Sequence, residues 1–200
     1  DKVNQDNISI NIQNEIQDTL LIFACRNGYL EVVKQVLTFP GIYVNAQKRY
    51  GDTALMEAAK NRHHKVVKHL LHHPILDVNM SEILGRNALM CAARSGSLEI
   101  VNDLLNHPNI VVAGRDSDGG TALVHAVKSN HPRVVGRLAQ FDQLLNIRDE
   151  SGYTPLMHAL EKKYTKICHI LLREDSLDFD LLTLDNNANA SGCVSSVATG

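Results

Sequence analysis

One spacing dominates this chain: a hydroxyl or amide residue followed by a Leu- and Ala-rich turn of sequence returns every 33 or 34 residues. DTALMEAA at 52–59 comes back as RNALMCAA at 86–93, GTALVHAV at 120–127 and YTPLMHAL at 153–160, with a weaker first copy, DTLLIFAC, at 18–25. The Thr or Asn at 19, 53, 87, 121 and 154 falls at intervals of 34, 34, 34 and 33. A period in this range specifies a stack of small units. Each unit is too short to bury its own apolar face and is stable only against its neighbours.

Each copy carries a second apolar run at a fixed distance. Examples are Leu30 to Val33 with Val36 and Leu37, Val66 and Val67 with Leu70 and Leu71, and Leu98 to Val101 with Leu104 and Leu105. Spacings of three and four mark one face of a helix. The first run opens on Thr or Asn, which cap helices, and Pro155 suits a first turn. Between the runs Asn27-Gly28 and Ser95-Gly96 supply a turn. Each unit therefore reads as helix, tight turn, helix, loop. Small alanines at 58, 59, 92 and 93 allow neighbouring helices to approach closely.

These residues resemble the ankyrin repeat, with its G-x-T-P-L-H-x-A-A opening, Gly-His turn, E-V-V-x-x-L-L helix and D-V-N-A ending. Gly51, Gly85, Gly119 and Gly152 hold the leading glycine, and Asp77-Val78-Asn79 keeps the ending intact. The resemblance runs from about 17 to 185. It implies an all-α fold, an α-solenoid of helix-turn-helix repeats with projecting β-hairpin-like loops. The units it implies are 17–50, 51–84, 85–118, 119–151 and 152–185. Residues 1–16 are expected to be an N-terminal cap or the remnant of a preceding repeat, and 186–200 a degenerate or disordered tail. The chain departs from the pattern where Ile22, Met56, Met90, Val124 and Met157 replace the His of T-P-L-H, and where Arg62, Asn130 and Lys163 replace the turn glycine.

Composition narrows the function classes. The formal net charge of -2 gives no general attraction to nucleic acid or anionic membrane, although protonating all ten histidines would carry it to +8. No apolar run is long enough to span a membrane, so neither nucleic-acid binding nor membrane insertion is expected. Cys25, Cys91, Cys168 and Cys193 are too far apart for a zinc or redox motif. An intracellular location is expected, cytoplasmic or else nuclear, and the chain is expected to be a monomeric part of a larger protein.

RHHKVVKHLLHHP at 62–74 holds five histidines, yet the repeat register accounts for each: it is the second helix of one unit with its proline-marked exit. His69 and His73, four apart, could share a metal ion, but no third ligand is assignable and no metal site is expected. No nucleophile elbow, Walker loop or dinucleotide fingerprint occurs, so the chain is expected to be no enzyme and to need no cofactor.

Surface recognition remains. The resemblance implies that partners are held by the concave face and loop tips, here Arg49, Tyr50 and Asp52, Ile83, Leu84 and Arg86, and Tyr153. Arg26, Lys60, Arg94 and Lys128 add one cation to each of the first four repeats, a row that Glu161 breaks in the fifth, and they point to a protein or peptide partner of acidic character. Two other readings stay open. One is a regulatory ankyrin domain of a larger enzyme that senses a small anionic or nucleotide-like ligand near Tyr50, Lys60 and Arg94; the other is a self-associating array.

Overall fold

Each first helix begins where a short polar side chain can satisfy an orphan backbone N–H, and each second helix begins where the backbone turns left-handed. In the computed structural model, which describes residues 10–178, this gives ten α-helices and one 3-10 helix among the described residues. The first helices of the five units are α1 (Leu20–Arg26), α3 (Ala54–Lys60), α5 (Ala88–Ser95), α7 (Ala122–Lys128) and α9 (Pro155–Glu161). The second helices are α2 (Leu30–Val36), α4 (His64–Leu70), α6 (Leu98–Leu105), α8 (Pro132–Leu138) and α10 (Thr165–Leu171). The fold is the all-α solenoid that the resemblance implied. Residues 1–9, the segment 179–185 that would close the fifth unit, the tail 186–200 and Cys193 lie outside the described residues.

The side chains of Thr19, Thr53, Asn87, Thr121 and Thr154 each accept a hydrogen bond from the backbone N–H three residues on, at 3.0–3.4 Å. That residue is the apolar one that stands where the family pattern has His. All five of these side chains are buried or nearly so, trading a polar group for packing. Helices of seven or eight residues are marginal alone. They persist because α1, α3, α5, α7 and α9 pack in sequence against one another, with the second helices in a parallel row. Ala58, Ala59, Ala92 and Ala93 are fully buried at these crossings.

The second helices have no side-chain cap. Their first turns are held by a backbone bond that reaches back five residues, such as Tyr29 N–H to the Ala24 carbonyl and Ser97 N–H to the Ala92 carbonyl. This closure needs a left-handed residue at 28, 62, 96, 130 and 163. At two of these places the next repeat also decides the residue. A Cβ on Gly28 would stand 2.5 Å from the ring of His63, and one on Gly96 would stand 2.5 Å from the ring of His131. These rings lie over the preceding turn because His63 and His131 donate to the Arg26 and Arg94 carbonyls at 2.9 and 3.0 Å. Repeats 3 and 5 carry Ser97 and Tyr164 at this position, and the turns before them hold Arg62 and Asn130. Glycine and histidine thus alternate as a matched pair.

The outer loops are joined by asparagines. Asn79 donates to the Asn109 carbonyl at 2.6 Å and accepts from Val111 N–H at 2.8 Å, and Asn45 and Asn146 make equivalent bonds to the following repeat. Ala113 takes the same place in repeat 3 and breaks the series. The loop it would have met is the 33-residue unit, where a 3-10 turn at Asp142–Leu144 buries Leu144 and Leu145 instead. Asn79→Ala is expected to cost about 1–2 kcal/mol, two modest hydrogen bonds, seen as a lower midpoint in thermal unfolding, whereas Ala113→Asn should leave the midpoint unchanged.

Candidate partner-binding surface

The loops between repeats share one geometry. Residues 48, 82, 116 and 149 donate N–H to the carbonyls of 52, 86, 120 and 153, and the leading glycine closes the turn between them. Single antiparallel bridges at Gln47–Thr53 and Ser81–Asn87 stand in for strands, of which there are none among the described residues. Successive tips then stack: Ile83 N–H donates to Tyr50 O at 3.1 Å, Ser117 N–H to Leu84 O at 2.8 Å and Glu150 N–H to Asp118 O at 2.9 Å. The ridge they form is apolar in its first half and polar in its second. Ile16, Tyr50, Ile83 and Leu84 are exposed, Ile83 by 66%, while Ser117, Asp118, Glu150 and Ser151 follow as exposed polar groups. Arg49 is exposed beside Tyr50.

Three residues expected at solvated tips are elsewhere. Asp52 is only 6% exposed, because it precedes the cap residue and points along the helix to Lys60, with Lys48 3.2 Å away on its other oxygen. Arg86 folds back onto Glu82, its Nε 2.8 Å from the carboxylate. Tyr153 is half-buried and packs its ring on that of His158, 5.1 Å between centroids.

The cation row also changes meaning. Arg26 pairs with Asp18 and Glu57, Lys60 with Asp52, and Lys128 with Asp149 at 3.2 Å. Lys48 joins Glu57 at 2.8 Å. Arg26, Lys48 and Lys60 with Asp18, Asp52 and Glu57 therefore form one network of three cations and three carboxylates. Arg94 makes no ion pair among the described residues, and it is exposed. Together with Lys60, Arg86, Met90, Cys91 and Ser95 it lines a cavity of about 350 Å³ between α3 and α5, at the small end of the range for ligand pockets. No aromatic ring is in that lining, and Tyr50 stands outside it.

Four residues in this layer were not singled out from sequence, Glu57, Glu82, His125 and His158, and Asp149, which with Glu150 reads from sequence as a solvated acidic loop end, is buried. In repeats 2, 4 and 5 the residue five before the cap is joined to the residue four after it, as Lys48 to Glu57, Asp116 to His125 at 2.7 Å, and Asp149 to His158 at 2.6 Å, while Glu82 pairs with Arg86. Burial opposes ionisation of Asp52, Glu82 and Asp149, yet each stays below its ordinary pKa. Lys60 and then Lys48 hold Asp52 down, Arg86 and backbone N–H groups hold Glu82, and His158, the Tyr153 N–H and Lys128 hold Asp149. Burial lowers His125 and His158 below the usual histidine value against the pull of their aspartates. Burial pushes the Cys91 thiol up to about 11.

Both kinds of shift act in one direction. A group with a depressed folded pKa stabilises the fold above its unfolded pKa, and that contribution is lost as the pH falls. The melting midpoint is therefore expected to drop on acidification, first below about pH 6.5 through the histidines and again near pH 4 through the carboxylates. Differential scanning calorimetry from pH 8 to pH 4 checks it. His125→Gln with His158→Gln should flatten the first part, and the loss of His158 beside Asp149 should weaken the second.

The histidine-rich helix makes separate contacts. His63 reaches the Arg26 carbonyl, His64 donates to Asp103 at 2.8 Å and His72 to the Lys68 carbonyl at 2.6 Å. His69 is half-buried, and Nδ1 of His73 is buried without a hydrogen-bond partner. No three His, Cys, Asp or Glu side chains converge as a metal-binding group among the described residues, and no helix among them is long and apolar enough to cross a membrane.

Comparison with known proteins fits the geometry. A family model described as ankyrin repeats (3 copies) matches residues 4–82, 21–116 and 89–183. No curated protein matches the chain. The overlapping matches extend through all five helix pairs, and the chain belongs to the ankyrin repeat family.

Proposed function

We propose that this chain is a non-catalytic adaptor that holds a partner protein or peptide on the concave face of its stack, between the loop-tip ridge and the first helices. Ankyrin repeats generally mediate protein–protein interaction and are typically non-catalytic. The observation that supports this face is the run of exposed apolar tips, Tyr50, Ile83 and Leu84, beside the cation-lined cavity. Large apolar groups held out on rigid turns are the usual anchors of an interface. The partner carries an acidic group to meet Arg94, and Arg49 extends the same preference along the ridge. A nucleotide-like ligand would share the basic groups, but the cavity offers its base no ring to stack on.

Affinity capture followed by mass spectrometry identifies the partner, and a triple variant tests the face. Tyr50→Ser, Ile83→Ser and Leu84→Ser alter only exposed side chains, so the melting midpoint should hold while partner affinity falls tenfold or more. Capture and affinity unchanged by the triple variant would sink the concave-face reading.

A further inference from the structure

We propose that the cavity between α3 and α5 is the seat for a single carboxylate of the bound partner segment, anchored by Arg94; this rests on the reading of the face as peptide-binding.

The argument comes from how the other repeats neutralise the same cation. In repeats 1 and 2 the residue just before the helix cap is an aspartate that pairs with the cation eight residues later: Asp18 with Arg26 and Asp52 with Lys60. Repeat 3 keeps the cation, Arg94, but has Arg86 where the aspartate should be. Arg86 is turned to Glu82 through its Nε, and its two terminal nitrogens carry no hydrogen bond among the described residues. The position four residues after the cap holds Glu57, His125 and His158 in repeats 2, 4 and 5, each of which fills its part of this face with a polar side chain. Repeat 3 has Cys91 there, shorter and uncharged. The cavity is thus the volume left by two missing acidic or polar groups.

Charge says what fills it. The network around Asp52 and Glu57 is closed, Glu82 balances Arg86, and the excess is the one positive charge of Arg94. A carboxylate neutralises that excess as Asp18 and Asp52 do in their own repeats, and it can accept from the free guanidinium nitrogens of Arg86 and Arg94 together. A phosphate dianion would leave the site with a net negative charge. Met90 in the cavity wall and Ile83 and Leu84 on the Arg86 loop give the flanking side chains of that segment an apolar floor.

The test uses arrays of random dodecapeptides synthesised in matched sets whose central residue is Glu, Gln or phosphoserine, read with the labelled chain and with its Arg94→Gln variant. Arg94 is exposed and unpaired, so the variant should melt with the parent. The expected result is that Glu-centred peptides bind the parent about 10- to 100-fold more tightly than their Gln-centred mates, and that the variant loses this difference. Equal binding of Glu and Gln sets, or a preference that survives Arg94→Gln, overturns the seat. If that binding is still lost in the triple tip variant, the peptide-binding face stands without it; if no peptide binds the parent, both readings fall. A preference for phosphoserine beyond tenfold overturns the carboxylate assignment. Stabilisation by citrate or inorganic phosphate with no peptide preference gives the cavity to a free anion, and overturns it too.

Discussion

Leu123→Ala is expected to cost about 2–5 kcal/mol, the range for deleting a fully buried leucine whose surroundings collapse only in part. The same residue type recurs in the same register at Leu21, Leu55, Leu89, Leu123 and Leu156, each at most 1% exposed. Local chemistry is therefore constant along the series and only the place in the stack varies. In a nearest-neighbour array, an interior defect weakens the coupling of the repeats on both sides, while an end defect frays one terminus. Leu89→Ala and Leu123→Ala should lower the midpoint of the whole unfolding transition. Leu21→Ala and Leu156→Ala should instead split off a small early transition and leave the main one near the parent. Denaturant titration followed by circular dichroism, with differential scanning calorimetry, separates the two patterns. Equal effects at all five sites would mean that the chain unfolds as one closed core.

Gly96→Ala is expected to cost about 2–4 kcal/mol, from two sources. An alanine at φ 76 is in the left-handed region, which disfavours an L side chain by roughly 1 kcal/mol or more. Its Cβ would also meet the His131 ring at 2.5 Å, so the imidazole must leave and give up its bond to the Arg94 carbonyl, worth about 1 kcal/mol. The two parts separate in a double-mutant cycle. Adding His131→Ala removes the collision but leaves the backbone strain, so the double variant should be less unstable than the sum of the singles. Strict additivity would refute the collision. Arg62→Gly acts in the opposite sense. Arg62 is left-handed at φ 62 and the next repeat places Ser97 rather than His against it, so the change should stabilise by up to about 1 kcal/mol.

The solenoid was legible because its determinants are periodic and local. Capping residues, helix faces and the leading glycine recur at fixed offsets, and each acts within a few residues of itself. The binding surface was less legible, for a geometric reason. Asp52, Arg86 and Tyr153 sit next to loop tips in sequence, but the turn that projects the tip aims the residue after the glycine back along the first helix. There Asp52 meets Lys60, and Tyr153 meets the His158 ring. The carboxylates that neutralise Arg26, Lys60 and Lys128 come from eight residues away, from the following repeat or from the loop 21 residues on, so the basic row looked freer than it is. A signal was present in the alternation of acid and base five before and four after the cap, as in Lys48 with Glu57 and Asp149 with His158. It is visible only when the copies are superposed and their complementary positions compared. The gap in that pattern at Cys91, beside Arg86, marks the cavity.

The match of turn glycine to the following histidine limits how such a chain can change length. Removing 85–118 would set His131 against Arg62, a turn with a side chain where the ring needs space. Removing 51–118 would bring His131 onto Gly28, which accepts it. Loss of the pair 51–118 therefore preserves the fit of ring to turn where loss of 85–118 alone does not.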